Sequence, residues 1–151
     1  MSKQWLITWN PNKWSWTNFD AFQAATMRGE RKEQEWTCIS KGPRVGDRVF
    51  LEVLGQNNIR GIIASGEVVE EPFTETTWRN TDGRMIKVSF DIILPLKYVL
   101  PQEILKTHFP ETNWSTQRSG IEIRPTSNEN SLETVWQCHV DSFKNGSLIK
   151  S

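Results

Sequence analysis

Residues 48–71 read RVFLEVLGQNNIRGIIASGEVVEE and decide the fold class. The first part, up to Leu54, is rich in apolar residues that alternate with charged ones, a pattern typical of a strand. The turn-forming run Gly55–Asn58 then interrupts the pattern, and a second β-branched run follows. Glycines at positions 61 and 66 allow that second strand to bend. The stretch therefore predicts two antiparallel strands joined by a turn.

Similar patterns on either side extend this sheet. A first strand is predicted over Gln4–Trp9 and a further one over Met85–Lys97, MIKVSFDIILPLK. Helices are predicted at about residues 18–28, 101–110 and 128–140, and residues 30–35 are interpreted as a charged linker. We predict one α+β domain over residues 1–140, a bent, partly closed antiparallel β-barrel with surrounding helices. Residues 141–151 are interpreted as a C-terminal tail or truncated linker.

Composition narrows the functional classes. The 18 basic residues balance 18 acidic ones, so the formal charge is zero, and any contact with nucleic acid must be local. The two cysteines, Cys38 and Cys138, lie far apart and in no C-x-x-C motif, which argues against a zinc site and favours a reducing, cytoplasmic location. No long apolar segment suggests membrane insertion.

Motifs that would carry catalysis are missing from the sequence. We find no G-x-S-x-G elbow, no phosphate-binding G-x-x-x-x-G-K-[ST] loop, no H-E-x-x-H and no calcium loop. The two histidines, His108 and His139, each fall near or within a predicted helix and are interpreted as structural. We therefore expect a binding module without catalytic residues, metal ligands or a cofactor.

Tryptophan is the unusual residue of this chain, with eight copies against one tyrosine. The indole ring is large, costly to expose and suited to stacking on flat rings. We expect Trp5, Trp114 and Trp136 to lie in the core. Trp9, Trp14 and Trp16 are expected to hold the first strand against the first helix, which leaves Trp36 and Trp78 for a pocket.

Several motifs resemble those of a known family. Residues 5–11 (WLITWNP), 14–16 (WSW), 45–50 (VGDRVF) and 61–69 (GIIASGEVV) resemble, in order and spacing, the motifs of EVE domains. These domains belong to the PUA-like superfamily, which also contains the YTH readers. Residues 113–121 (NWSTQRSGI) resemble EVE domains that precede HNH nucleases in modification-dependent restriction endonucleases. The resemblance covers about residues 4–137.

The resemblance implies a deep pocket that holds a flipped-out modified base between aromatic rings. Trp36 and Thr37 match the residues that line one wall in related readers, and Asn10 matches a polar residue that contacts the base edge. Trp78 is the candidate for the opposite wall, and Ser40 is a further source of hydrogen bonds near the pocket.

Basic residues are more frequent in the region of the predicted pocket. Residues 1–66 carry nine basic and six acidic side chains, a net charge of +3, whereas residues 67–83 carry one and five, a net charge of −4. The candidates for phosphate contacts are Lys41, Arg44, Arg48, Arg60, Arg79 and Arg118.

The sequence thus predicts a reader of modified double-stranded DNA, with 5-methylcytosine or 5-hydroxymethylcytosine as the expected ligand. Such a module would supply specificity to a modification-dependent restriction system, with a nuclease domain covalently linked in the full-length protein. Three alternatives stay open at this point. The chain could read N6-methyladenine, it could read modified RNA as YTH domains do, or it could be an interaction domain whose tryptophans only build the core.

Overall fold

The computed structural model describes residues 3–55, 60–76, 82–124 and 131–146. These residues form an α+β fold, as predicted. The elements in chain order are β1 (Gln4–Trp9), α1 (Phe19–Met27), β2 (Lys32–Thr37), β3 (Arg48–Val53), β4 (Gly61–Thr76), β5 (Asp82–Ile93), a 3-10 turn (Leu96–Tyr98), β6 (Leu100–Pro101), α2 (Gln102–His108), β7 (Ile121–Glu122) and α3 (Leu132–Lys144).

The strands form a single mixed sheet in the order β2-β5-β4-β3-β1-β7, with β6 paired to β4. Strands β1 and β3 run parallel, whereas the other pairs are antiparallel. The prediction of a purely antiparallel sheet was therefore wrong. A parallel pair needs a long crossover connection, and here the chain between β1 and β3 supplies one that contains α1 and β2.

Strands β4 and β5 bend the sheet strongly. Their pairing register shifts at three places, between Ser65 and Gly66, between Val68 and Glu70, and between Glu70 and Phe73. Gly66 is required at the first shift because a Cβ there would lie 2.6 Å from a backbone oxygen of β5. Bulges of this kind bend a strand and increase its twist. As a result, β1 and β2 approach each other although they are not neighbours in the sheet.

The approach of β1 and β2 does not close the barrel by strand pairing. Within the described residues, no backbone ladder joins β2 to β1 or β7. The gap is instead bridged by side chains, since the indole Nε1 of Trp36 on β2 donates to the carbonyl oxygen of Thr8 on β1 at 2.9 Å. The sheet is thus bent but unclosed.

Hydrophobic cores lie on both faces of the sheet, as the neighbours Leu6 and Ile7 show. Ile7 points into a core shared with α1, and Leu6 into a second core covered by α2 and α3, and both are fully buried. The buried tryptophans are Trp5, Trp9, Trp16, Trp36, Trp114 and Trp136. The predicted core positions 5, 114 and 136 are confirmed. None of the described helices is long and apolar enough to cross a membrane.

Several segments differ from the sequence-based prediction. The strand predicted over Met85–Lys97 ends at Ile93. The charged linker at residues 30–35 is largely strand β2, because an edge strand paired only with β5 can keep charged side chains in solvent. Helix α3 continues to Lys144, four residues past the predicted boundary. Phe143 on its last turn packs on Tyr98 with ring centroids 4.9 Å apart, so residues 141–144 belong to the folded domain.

One carboxyl group lies inside the second core. Glu52 on β3 is fully buried at an irregularity in the pairing with β4. Its Oε2 accepts from the side chain of Gln102 at 3.1 Å, while Oε1 has no hydrogen-bond partner among the described residues. Desolvation raises the pKa of Glu52 to about 7, despite the nearby guanidinium of Arg60.

Replacing Glu52 with glutamine is expected to change how stability depends on pH. The folded-state pKa of about 7 exceeds the ordinary value of 4.5, so this carboxyl destabilises the fold increasingly as the pH rises between those values. The difference in unfolding free energy, variant minus wild type, should grow by up to roughly 3 kcal/mol between about pH 4 and about pH 8. Urea denaturation at several pH values measures it. Glu103→Gln, exposed on α2, is the matched control, and a pH-independent difference for E52Q would contradict the expectation.

Candidate functional site

A cavity of about 660 Å³ opens at the end of the sheet where β1, β2 and β3 finish and β5 begins. This volume lies within the range of about 300–1,000 Å³ that is typical of ligand sites. We call it the tryptophan cavity. It is lined by Thr8, Trp9, Asn10, Lys13, Trp14, Gln34, Glu35, Trp36, Thr37, Cys38, Ile39, Leu54, Gly83, Arg84, Met85, Gln117, Arg118 and Ser119.

The aromatic wall of the cavity is a cluster of rings. Trp36 is only 3% exposed, and Trp14 and Trp16 both contact it edge to face with centroids 4.9 Å away. Trp14 is half-buried, and its carbonyl oxygen accepts a 2.9 Å hydrogen bond from the indole of Trp9. Edge-to-face packing is a favourable geometry for such rings. Trp36 therefore supports the wall from the core, while Trp14 presents the more accessible ring.

Ser119 ties three segments of the cavity together. Its Oγ accepts from the backbone N–H of Thr8 at 3.1 Å and donates to the carbonyl of Thr37 at 2.7 Å. Its own carbonyl accepts from the N–H of Ile39 at 2.8 Å. The next residue, Gly120, has φ +99°, and a Cβ there would lie 2.5 Å from the sulfur of Cys38. Only glycine lets the chain pass so close to the end of β2.

The cavity is positively charged. Three lining residues are cations, Lys13, Arg84 and Arg118, and one is a carboxylate, Glu35, which gives a net charge of +2. The guanidinium of Arg84 donates to the carbonyl of Ile39, so this cation is held at the rim. Among the described residues, no ion pair involves Lys13 or Arg118. These charges would favour an anionic ligand or a ligand with an attached phosphate.

The structure brings three of the five predicted base-contacting residues to this cavity. Asn10, Trp36 and Thr37 line it, whereas Ser40 does not, because its Oγ accepts from the N–H of Gly42 at 3.0 Å and stabilises a turn. One polar atom of the Asn10 side chain already has a hydrogen-bond partner. Its Oδ1 accepts from the N–H of Asn12 at 3.0 Å, which leaves its amide group for other partners. Trp78 lies outside the described residues.

The predicted phosphate contacts divide in a similar way. Arg118 is exposed and lines the cavity, and Arg79 lies outside the described residues. Lys41 is exposed on the turn after β2 but does not line the cavity. The guanidinium of Arg44 donates to the carbonyls of Lys41 and Pro43 at 2.9 and 3.0 Å. Arg44 therefore stabilises its own loop.

Two further arginines that were predicted to contact phosphates make contacts within the protein. Arg48 pairs with Asp91 at 3.1 Å and with Glu133 at 2.6 Å, and these pairs link β3, β5 and α3. Its guanidinium is thereby occupied by residues that do not line the tryptophan cavity. Arg60 donates to the carbonyl of Thr116 at 3.3 Å and lies near the buried Glu52.

The fold also places in the cavity residues that were not predicted as site residues, among them Lys13, Trp14 and Arg84. Trp14, which belongs to the Trp-Ser-Trp motif, was expected to pack the first strand on the first helix. Lys13 and Arg84 had no local signal, since one follows a turn and the other precedes the predicted start of its strand. Within the described residues, no three His, Cys, Asp or Glu side chains are placed to hold a metal ion. Burial raises the pKa of the Cys38 thiol, which disfavours its reactive thiolate form.

Comparisons with known proteins do not identify a function for this cavity. No family model and no curated protein match the chain. An NMR structure of Rpa0253 from Rhodopseudomonas palustris is similar, with 17% identity, a TM-score of 0.43 and coverage of 99% of this chain and 96% of that one. A crystal structure of Atu2648 from Agrobacterium tumefaciens is 18% identical, with a TM-score of 0.42 and coverage of 90% and 92%. These values are too low to assign a function by similarity.

Removing the Ser119 hydroxyl is expected to destabilise the protein. Ser119→Ala leaves the N–H of Thr8 and the carbonyl of Thr37 without their partner, at a cost of about 1–3 kcal/mol. Urea denaturation followed by tryptophan fluorescence measures the loss. Ser115→Ala is the matched control, because Ser115 is exposed in the same loop and should change stability by less than about 0.5 kcal/mol. Equal stability of the two variants would exclude a bridging role for Ser119.

Proposed function

We infer that this chain is a reader of modified DNA that takes one flipped-out base into the tryptophan cavity, with 5-methylcytosine or 5-hydroxymethylcytosine as ligand. The observation that carries the proposal is the combination, in one cavity of about 660 Å³, of an accessible tryptophan wall and a cationic lining. The EVE-like motifs support the same proposal, because three of them, residues 5–11, 14–16 and 113–121, supply cavity residues.

Stacking provides the main binding energy in this proposal. Flipping a base costs a few kcal/mol of lost stacking and pairing, and each stacked aromatic side chain returns about 1–3 kcal/mol. The accessible ring of Trp14 is the natural stacking surface, since the ring of Trp36 is nearly fully buried. The edge-to-face contact between the two rings holds Trp14 in position.

Polar groups of the cavity would identify the base. Asn10, Thr37 and Gln117 offer donors and acceptors among the lining residues. Apolar side chains such as Leu54 and Met85 offer a surface for a methyl group. One such group changes affinity by roughly 10–200-fold in a fitted pocket. Discrimination between modified and unmodified cytosine would therefore be modest, while hydrogen bonds would exclude the wrong base.

The proposed biological role is that of a specificity module. Base binding needs no catalytic residue, metal or cofactor. The resemblance of residues 113–121 to EVE domains ahead of HNH nucleases supports a linked nuclease domain and a modification-dependent restriction system. In this arrangement the module would select the site, and the partner domain would cut the DNA.

A binding screen tests the proposed function directly. Fluorescence anisotropy with duplexes that carry one 5-methylcytosine, 5-hydroxymethylcytosine, N4-methylcytosine or N6-methyladenine gives the order of affinities, with unmodified duplex and modified RNA as references. We expect a cytosine modification to bind at least about tenfold tighter than the unmodified duplex. Equal affinity for all duplexes would reject the proposal, and preference for RNA or for N6-methyladenine would replace its ligand.

Trp14→Ala is expected to weaken binding of the modified duplex by at least about tenfold, because a stacking surface is lost. The loss of stability should be smaller than the 3–5 kcal/mol that is usual for a fully buried tryptophan, since Trp14 is only half-buried. Anisotropy and urea denaturation of the same samples separate the two effects. Phe143→Ala, which truncates a half-buried ring far from the cavity, is the control and should keep full affinity.

Arg118→Ala is expected to weaken binding of every duplex by a similar factor. If Arg118 contacts a phosphate, its removal also lowers the slope of log affinity against log salt by about 1. Titrations at several salt concentrations measure the slope. Lys144→Ala removes an exposed cation that does not line the tryptophan cavity, and it should leave the slope unchanged. An unaltered slope for R118A would exclude the phosphate contact.

A further inference from the structure

A second recess lies next to the tryptophan cavity. It has a volume of about 940 Å³ and is formed mainly by residues 111–118 with the neighbouring strand β7. Three residues line both recesses, namely Ile39, Gln117 and Arg118. These residues therefore form the partition between a proposed base pocket and an open groove on the surface.

Ile39 is an unusual residue for such a partition. The residue is 49% exposed, although isoleucine is among the residues most often buried. Its backbone is fixed on both sides. The N–H donates to the carbonyl of Ser119 at 2.8 Å, and the carbonyl accepts from the guanidinium of Arg84. The β-branched side chain has few rotamers, so an exposed apolar group is presented in a nearly fixed direction.

We propose that Ile39 is a wedge that enters the base stack of duplex DNA where the pocketed base has left. The proposal rests on the proposed function and adds a separate surface to it. Apolar side chains inserted between base steps partly unstack them and help to distort the duplex. Arg118 on the same partition and Arg84 at the carbonyl of Ile39 place two cations where the strand backbone would pass.

Insertion of Ile39 would strengthen the binding of duplex DNA but not of single-stranded DNA. In duplex DNA, the departing base leaves a gap whose apolar faces would be exposed to water, and Ile39 would cover them. In a single strand, the modified base is already unpaired, so reaching the tryptophan cavity needs no insertion. The contribution of Ile39 should therefore depend on the second strand, whereas that of Trp14 should not.

The test measures Ile39→Ala with one modified oligonucleotide, first in a duplex and then as the single strand. We expect the duplex to lose at least about tenfold more affinity than the single strand, because only the duplex has a base stack for Ile39 to enter. Val45→Ala is the matched control, because Val45 is a 61% exposed β-branched residue that lines neither recess. A 2-aminopurine next to the modified base should fluoresce on binding to wild type and much less with I39A.

The outcomes separate the wedge from the pocket. Equal losses for duplex and single strand, or no loss for either, would overturn the wedge and leave the pocket standing. Binding of the single strand alone by the wild type would also overturn the wedge. If the wild type binds modified and unmodified oligonucleotides equally, both as duplex and as single strand, the proposed function itself is rejected.

Discussion

The hydrogen bonds that Ser119 makes to Thr8 and Thr37 hold together the two regions of the bent sheet between which the cavity opens. Strands β1 and β2 are not sheet neighbours, and within the described residues no backbone ladder joins them. The indole of Trp36 adds a further bond across the same gap. Because these few side-chain bonds replace strand pairing, the gap stays open enough to form a cavity. If β1 and β2 were paired in a closed barrel, their backbones would lie side by side and would fill this gap.

The same construction explains why tryptophan is so frequent in this chain. The first core covers one face of the bent sheet, so the space between the sheet and α1 is irregular. Large rings such as Trp16 and Trp36 fill this space. Trp14 packs on their outer side and stays half-buried. In the proposed function one cluster would serve both purposes, since its buried rings stabilise the fold and its outermost ring would provide a rigid surface for a ligand.

Charged residues of this chain also lie in contrasting environments. Arg48 is paired with two carboxylates and links three elements, while Arg118 lies at the cavity without an ion pair among the described residues. Glu52 lies inside the second core, where burial makes its ionised form unfavourable. Side chains of one type, such as Arg48 and Arg118, therefore differ in their surroundings. The differences are the number of neighbouring carboxylates and the degree of burial.

The sequence by itself determined the α+β class, most of the strands, the first helix and the buried positions of Trp5, Trp114 and Trp136. These features follow from local alternation, turn residues and helical spacing, which nearby residues control. The sequence also indicated that Asn10, Trp36 and Thr37 would line a pocket. Only the tertiary structure decided the parallel pairing of β1 with β3, the edge strand β2 and the inclusion of Lys13, Trp14 and Arg84 in the cavity. These depend on contacts between residues distant in the chain, and local patterns carry no information about such contacts.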